Sequence, residues 1–184
     1  KLKLKLKLRY YLFKIFPTKF IKFFNRLYEH RLNFNILNLM NKGLKIDVIY
    51  DIGAFRGEWS NFLSRTSLKN KNFYLFEANE ENEEYLEKLS FKYFFDVLSD
   101  KNKDVNFYSR ISTGDSYLVE QTSFYKEDVK SVIKKTITLD EIVKKKNLPF
   151  PDFIKIDTQG SEIDILKGSQ KSISKCSLIY LECP

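Results

Sequence analysis

The sequence predicts an α/β fold with a doubly wound, mostly parallel sheet, and three observations support that prediction. Short apolar runs that suit buried strands alternate with segments whose apolar residues have helical spacing. Glycine-containing turns connect strand to helix in two places, and residues typical of helix caps follow several strands. Such alternation of strands and helices is typical of a parallel sheet that is covered by helices.

The first predicted strand, turn and helix are the best defined. Residues 46–50 form an apolar run, Asp51 follows it, and Gly53 and Gly57 complete a D-x-G-x-x-x-G turn. Glycine adopts positive φ easily and lets the backbone approach a ligand closely, as a tight strand-to-helix turn requires. The apolar spacing from Trp59 to Leu63 then predicts a helix.

The remaining elements follow in order along the chain. The predicted strands are residues 72–77, 92–99, 105–109, 153–157 and 178–181, and the predicted helices begin at Asn79, Thr138 and Ser161. Thr138 and Glu141 have the spacing of a capping box, and Ser161 with Asp164 is interpreted as a variant of it. Gly168 is expected to end its helix as a left-handed cap.

Two carboxylates are predicted at the ends of neighbouring strands. Asp51 would repel the phosphate that a dinucleotide places at a helix N-terminus, whereas S-adenosylmethionine has no phosphate and carries an ammonium, a sulfonium and a ribose diol. Glu77 follows Gly53 at close to the offset of roughly 20 residues where Rossmann-type domains bind a ribose diol. An ionised carboxylate accepts both hydroxyl donors. Either acid alone also suits a helix cap, but together they favour this cofactor.

Five short motifs occur in one order along the chain. They are residues 51–60 (DIGAFRGEWS), 76–77 (FE), 98–100 (LSD), 138–141 (TLDE) and 152–168 (DFIKIDTQGSEIDILKG). With these motifs, residues 46–184 resemble the FkbM-type, S-adenosylmethionine-dependent methyltransferases, which have a Rossmann-like sheet. Two positions depart from the family pattern, because Phe55 stands where Asn is common and Gln159 stands where Glu is common.

The resemblance implies a role for each residue at the carboxyl ends of the strands. The cofactor-binding residues are Asp51, Gly53, Ala54 and Gly57 for the methionine part, Glu77 for the ribose, Leu98 and Ser99 for the adenine, and Asp157. Removal of a proton from a hydroxyl acceptor needs a general base. Asp157 is the leading candidate, and Glu182 is the second. An alternative role for Asp157 is to bind the ammonium of the cofactor or to order the next loop. No residues have the spacing of a metal site.

The predicted function is therefore S-adenosylmethionine-dependent O-methylation. The acceptor would be a hydroxyl of a sugar, glycolipid or polyketide-like molecule, a class that only the family resemblance implies. Its pocket is expected to include residues 109–129. The alternative is a non-catalytic relative that keeps the fold and binds a membrane or a protein through its basic arm. An NAD-dependent oxidoreductase is disfavoured, because the G-x-G-x-x-G turn is absent.

Basic charge is concentrated near the N-terminus. Residues 1–42 contain eight Lys and three Arg but one acid, Glu29, while the whole chain has a net charge of +8. Residues 1–42 are predicted to be a basic, aromatic helical arm, and residues 43–184 the S-adenosylmethionine-binding domain. The arm suits helices packed on the domain, or an interfacial helix attracted to anionic lipid. Nucleic acid is the least favoured partner, because the aromatic residues are mostly Phe in apolar surroundings.

Two further expectations concern the compartment and the end of the sheet. Cys176 and Cys183 lack paired spacing, which favours a reduced, cytoplasmic compartment, with peripheral membrane contact through the arm as the alternative. The last predicted strand is 178–181, whereas the family resemblance implies two further strands. Edge strands are normally protected. We therefore expect one of two explanations: the sequence is a fragment, or the edge is covered by the arm or by a second copy in a homo-oligomer.

Overall fold

A computed structural model of the chain describes residues 18–109, 115–117 and 130–182, with side chains from His30 onward except Lys130. The chain divides into two units between Gly43 and Leu44. In the first unit, helix α1 covers Thr18–Asn41. The alternating Lys and Leu residues at 1–8 lie outside the described part of the chain. Within the described residues, no helix combines the length and the apolar character needed to cross a membrane.

The second unit alternates strands and helices. The strands are β1 (Val48–Ile52), β2 (Asn72–Glu77), β3 (Lys92–Phe95), β4 (Val97–Leu98), β5 (Asp104–Ser109), β6 (Lys130–Ile137), β7 (Phe153–Ile156) and β8 (Leu178–Leu181). The helices are α2 (Glu58–Arg65), α3 (Glu83–Leu86), α4 (Leu139–Lys145), α5 (Glu162–Lys167) and α6 (Gln170–Lys175), and a 3-10 helix covers Glu80–Asn82.

Five strands form the main sheet, in the order β3-β2-β1-β7-β8. Strand β1 lies at the centre and pairs in parallel with β2 on one side and with β7 on the other. The outer pairs β2–β3 and β7–β8 are also parallel. The predicted mostly parallel α/β sheet is thus confirmed. Because all five strands point the same way, their carboxyl ends form one edge, which we call the rim.

A second sheet of three strands, in the order β4-β6-β5, corrects one prediction. The single strand predicted at residues 92–99 is broken at Asp96, so that β3 stays in the main sheet and β4 pairs in parallel with β6. The backbone N–H of Asp96 donates to the carbonyl of Glu77 at 3.1 Å, where the main ladder ends. The predicted short strand at 105–109 is confirmed as β5, and its antiparallel partner β6 was not predicted.

Helices cover both faces of the main sheet. One face contributes to a buried cluster with α4 and α5 that contains Tyr50, Ile52, Tyr74, Phe76, Leu98, Leu139, Ile142, Val143, Ile154, Ile156 and Ile165. On the other face, Trp59 of α2 packs edge-on against Phe153, with ring centroids 5.7 Å apart. Side chains alternate between faces along a strand. Asp51 and Lys155 therefore lie on the α2 face, at the rim end of the sheet.

The helix caps agree with the sequence in part. The capping box of Thr138 and Glu141 is confirmed, and the Asn79 side chain accepts from the backbone of the 3-10 helix. The prediction for Ser161 was wrong, because its side chain makes no capping hydrogen bond. Gly168 has φ −80° rather than a left-handed conformation. A Cβ at Gly168 would lie 2.1 Å from the carbonyl oxygen of Ser99, so this glycine permits close packing instead.

Candidate functional site

Strands β1 and β7 place Asp51 and Lys155 side by side, as direct register partners. The Nζ atom of Lys155 lies 3.0 Å from Oδ1 of Asp51. Ser60 of α2 donates to Oδ2 of Asp51 at 2.6 Å. Asp51 is 0% exposed and Lys155 is 4% exposed. The predicted site residue Asp51 is therefore a buried carboxylate that two neighbouring elements hold in place.

Lys155 connects the loops that follow β1 and β7. Its Nζ donates to the carbonyl of Gly53 at 3.1 Å and lies 3.4 Å from Oδ2 of Asp157. Burial alone would lower the pKa of Lys155, but the carboxylates of Asp51 and Asp157 outweigh burial and raise that pKa above its usual value. The side chain is therefore a charged ammonium at neutral pH. Sequence analysis did not identify Lys155 as a site residue.

The glycine loop after β1 has the backbone geometry that the sequence predicted. Gly53 has φ 73° and Gly57 has φ 71°. The backbone N–H groups of Gly53 and Ala54 both donate to the carbonyl of Phe76, at 2.9 and 3.1 Å. A Cβ at Gly53 would lie only 1.8 Å from the carbonyl oxygen of Asp157. The loop is thus held between the ends of β2 and β7, with no room for a side chain at Gly53.

Glu77 is the last residue of β2, and its buried carboxylate contacts two backbone groups. Oε2 accepts from the N–H of Phe55 at 2.6 Å, and Oε1 accepts from the N–H of Asn79 at 2.8 Å. Burial raises the pKa of Glu77 to about 7, although the hydrogen bonds from Asn79 and Phe55 oppose the shift. A large fraction of this carboxyl group is therefore protonated at neutral pH. Glu77 also fixes the position of the glycine loop through Phe55.

The loop after β7 carries Asp157, whose side chain is 24% exposed. Gln159 donates to Oδ1 of Asp157 at 3.0 Å, and Gln159 itself has a positive φ of 55°. The carboxylate of Glu162 accepts from the backbone N–H groups of Thr158 and Gly160, both at 3.0 Å. Glu162 therefore orders the loop, a role that the sequence analysis had given only as an alternative for Asp157.

A second polar network begins at Ser99, the residue that follows β4. The hydroxyl of Ser99, which is 0% exposed, donates to Asp100 at 3.0 Å and lies 3.1 Å from the hydroxyl of Tyr117. Tyr117 in turn donates to Oδ2 of Asp164 at 3.0 Å. Burial raises the pKa of Tyr117 to about 12, so its hydroxyl remains protonated at neutral pH. Nothing in the periodicity of residues 109–129 had identified Tyr117.

Residues 115–117 also contact the region around β2. The side-chain amide of Asn79 donates to Oδ2 of Asp115 at 2.8 Å. The charge of Asp115 contributes to the raised pKa of Glu77. This short segment therefore contacts the rim at β2 through Asp115, and contacts both β4 and α5 through Tyr117.

Substitution of Tyr117 by Phe is expected to lower the free energy of unfolding by roughly 1 to 2 kcal/mol, because it removes the bridge between Ser99 and Asp164. Urea unfolding of both proteins measures this difference. Tyr85, which is 41% exposed, supplies the control, and Tyr85→Phe should change stability by less than about 0.5 kcal/mol. Equal stabilities of wild type and Tyr117→Phe would contradict a structural role for the bridge.

The structure brings some of the predicted site residues together and places others farther along the rim. Asp51, Gly53 and Asp157 meet around Lys155. Glu182 follows β8, where its backbone N–H donates to the carbonyl of Ile156 at 3.0 Å and the residue is exposed. Among residues 18–109, 115–117 and 130–182, no group of three or more His, Cys, Asp or Glu side chains is placed to hold a metal ion.

The chain is similar to several known proteins. Residues 51–183 match the family model described as the methyltransferase FkbM domain. Over 151 residues the chain is 25% identical to the hexuronic acid methyltransferase AglP of Haloferax volcanii, and the match covers 78% of this chain and 59% of that protein. The crystal structure of methyltransferase FkbM from Methylobacillus flagellatus KT is similar with a TM-score of 0.47 and 20% identity, over 71% of this chain and 30% of that chain.

Proposed function

Because the chain belongs to the methyltransferase FkbM domain family, we propose that it is an S-adenosylmethionine-dependent O-methyltransferase. The family generally uses S-adenosylmethionine. The main supporting observation is the cluster of Asp51, Lys155 and Asp157, which combines two carboxylates with one ammonium. Its net negative charge beside the glycine loop favours a cationic ligand and disfavours a phosphate.

The proposed site for the methionine part of the cofactor is formed by Asp51, Gly53, Ala54 and Gly57 together with Asp157. The positive φ of Gly53 and Gly57, 73° and 71°, supports this assignment, because it allows the tight turn that holds the loop backbone at the rim. Asp157 provides the exposed edge of the charged cluster, since its side chain is 24% exposed whereas that of Asp51 is 0% exposed. Asp157 is thus the carboxylate that a ligand can reach.

We assign the ribose to Glu77 and the adenine to Leu98 and Ser99. Each carboxylate oxygen of Glu77 accepts one backbone hydrogen bond. An ionised carboxylate can accept about four hydrogen bonds in total, which leaves capacity for the two ribose hydroxyls. Leu98 offers buried apolar surface. The hydroxyl of Ser99 is already engaged with Asp100 and Tyr117, so the proposed contribution of Ser99 is packing.

The proposed chemistry divides between orientation and proton removal. When bound, S-adenosylmethionine supplies an electrophilic methyl group on a sulfonium. The rim must hold the acceptor oxygen roughly 3 to 3.5 Å from the reacting carbon. Asp157 is the proposed general base, because its carboxylate is accessible and is oriented by Gln159 and Lys155. Glu182 is the second candidate base, and binding of the cofactor ammonium is the alternative role for Asp157.

The proposed acceptor is a sugar, either free or within a glycan. The name of the Haloferax volcanii relative supports a sugar acid in particular. This chain spans 59% of the length of that relative.

We expect S-adenosylmethionine to bind in calorimetry and to raise the Tm, as any ligand selective for the native state does. NADH serves as the negative control. Incubation with S-adenosylmethionine labelled at the methyl group should then transfer label to glucuronic acid more rapidly than to glucose. Binding of NADH in place of S-adenosylmethionine would contradict the assignment of the cofactor.

The bond formed in that reaction distinguishes two kinds of acceptor group. Methylation of a hydroxyl gives an ether that survives mild alkali, whereas methylation of the sugar carboxylate gives an ester that does not. In the former case, Asp157→Asn should reduce kcat by about 100-fold or more, as expected for loss of a general base. An alkali-labile product, which needs no proton removal from the acceptor, would contradict both O-methylation of a hydroxyl and the role of Asp157 as base.

A further inference from the structure

Lys155 occupies an unusual position for a lysine. It lies within the buried strand β7 and is 4% exposed, on a sheet face that packs against α2. Its Nζ is 5.7 Å from the ring centre of Trp59 in α2. A buried charge is costly unless other groups compensate for it. The compensation here comes from the side chains of Asp51 and Asp157 and from the backbone carbonyl of Gly53.

All three of these oxygen-bearing residues belong to the part of the rim assigned above to the methionine end of the cofactor. The ribose end is held by different contacts, since the carboxylate of Glu77 accepts from Phe55 and Asn79. The bond from Phe55 also joins the glycine loop to Glu77, whereas Lys155 contacts Asp51, Gly53 and Asp157. A change at Lys155 should act on one end and leave the other in place.

We propose that Lys155 is the positioning residue for the methionine end of the cofactor site, an inference that rests on the proposed function. Its ammonium keeps the carboxylates of Asp51 and Asp157 close together, although two like charges would otherwise repel each other. By donating to the carbonyl of Gly53, it also fixes the separation between the loops after β1 and β7. Asp157 and the glycine loop are thus held at a fixed separation where the methionine end of the cofactor is proposed to bind.

The charges of this cluster also match those of the ligand. Two carboxylates and one ammonium give a net charge of −1. S-adenosylmethionine, with a sulfonium, an ammonium and a carboxylate, has a net charge of +1. Methyl transfer removes the sulfonium charge and leaves a neutral product. The cluster therefore attracts the reactant more strongly than the demethylated product. Lys155 lowers this attraction by one unit of charge, so its proposed contribution to binding is the position of the two loops.

The test compares two ligands that differ at the methionine end. S-adenosylmethionine occupies both ends, whereas 5′-deoxy-5′-methylthioadenosine keeps the nucleoside and lacks the amino acid. In calorimetry, Lys155→Met should raise the Kd of S-adenosylmethionine by about 10-fold or more, consistent with loss of charge-assisted hydrogen bonds. The same substitution should change the Kd of methylthioadenosine by less than about twofold. Lys144, an exposed residue of α4, provides a matched control, and Lys144→Met should change neither Kd.

Two results would overturn the proposal. Equal weakening of both ligands would show that Lys155 supports the whole fold and not one end of the site. An unchanged Kd for S-adenosylmethionine would show that Lys155 is not needed for positioning. Wild-type protein that does not bind S-adenosylmethionine at all would instead contradict the proposed function. The two failures are therefore distinguishable.

A second variant keeps the test decisive if Lys155→Met does not fold. Removal of the ammonium alone leaves the carboxylate of Asp51 buried without its ion-pair partner. The double variant Asp51→Asn with Lys155→Met removes both charges, and Ser60 can still donate to the side-chain amide oxygen. The same ligand comparison applies, with about a 10-fold loss expected for S-adenosylmethionine and less than twofold for methylthioadenosine. Wild-type affinity of the double variant for S-adenosylmethionine would also overturn the proposal.

Discussion

Replacement of Gly53 by Ala is expected to raise the Kd of S-adenosylmethionine by at least about 100-fold. A Cβ at this position would lie 1.8 Å from the backbone carbonyl oxygen of Asp157, so the loops after β1 and β7 must move apart. The φ of 73° at Gly53 adds a cost of roughly 1 to 2 kcal/mol for any residue with a Cβ. Calorimetry with S-adenosylmethionine measures the affinity, and urea unfolding measures the accompanying loss of stability.

Gly43 provides the matched control for this substitution. It also has a positive φ, of 102°, but a Cβ there would meet nothing within 4 Å. Gly43→Ala therefore introduces backbone strain without a steric clash, and its effect should be limited to a loss of stability of roughly 1 kcal/mol. Retention of wild-type affinity by Gly53→Ala would contradict the assignment of the glycine loop to the cofactor site.

Binding of methylthioadenosine should become about 10-fold tighter between pH 6 and pH 8. Burial raises the pKa of Glu77 to about 7, and only the ionised carboxylate can accept hydrogen bonds from both ribose hydroxyls. Binding therefore releases a proton over this pH range. Methylthioadenosine is the appropriate ligand, because it lacks the α-amino group, which titrates near pH 8. Calorimetry at several pH values measures the effect.

Glu77→Gln should abolish this pH dependence and weaken binding by roughly 1.5 to 3 kcal/mol, the usual contribution of hydrogen bonds to a charged group. The control is Glu84→Gln, because Glu84 is exposed on α3. A pH-independent Kd for wild-type protein would contradict the assignment of the ribose to Glu77.

Ionisation of Glu77 should lower the free energy of unfolding, although it strengthens the binding of methylthioadenosine. The pKa of this carboxyl group in the folded protein, about 7, is above the ordinary value of 4.5. The native state therefore binds the proton more tightly than the unfolded state does. Its stabilising contribution is present below pH 4.5 and is lost as the pH rises to about 7. Urea unfolding across this range should show a smaller decline in Glu77→Gln than in wild type.

The sequence predicted those parts of the fold that depend on neighbouring residues in the chain. The strand, glycine turn and helix from Val48 to Arg65 combine a buried apolar run, two glycines and helical spacing within one short segment. The position of Glu77 at the end of β2 was predicted because the apolar run of that strand directly precedes it. The main sheet follows from these units, because the hydrophobic pattern of each strand already indicates burial on both faces.

Other features depend on residues that are distant in sequence. Lys155 is one charged residue in an apolar strand, and its partner Asp51 becomes its neighbour only when β1 and β7 pair. Tyr117 lies in a segment without periodicity, and its bonds to Ser99 and Asp164 are tertiary contacts. Gly168 resembles a helix cap in sequence, but its actual constraint is the nearby carbonyl of Ser99.

One predicted strand was wrong and one strand was not predicted, and the local sequence explains both. Within residues 92–99 apolar residues stand on both sides of Asp96, so the segment was interpreted as one strand although the chain leaves the main sheet there. Strand β6 has the sequence KSVIKKTI, in which lysines interrupt the apolar residues and obscure the alternation expected of a strand.

The separation along the chain of the groups that form the site also predicts an order of folding. The bond from Phe55 to Glu77 joins residues 22 apart, whereas the bond from Lys155 to Gly53 joins residues 102 apart. Contacts between distant residues form more slowly, because closing the longer loop costs more entropy. During synthesis, the N-terminal part of a chain also folds first. The proposed ribose end of the site should therefore form before β7 is available to complete the proposed methionine end. A bound cofactor would then join a part of the domain that folds early to a part that folds later.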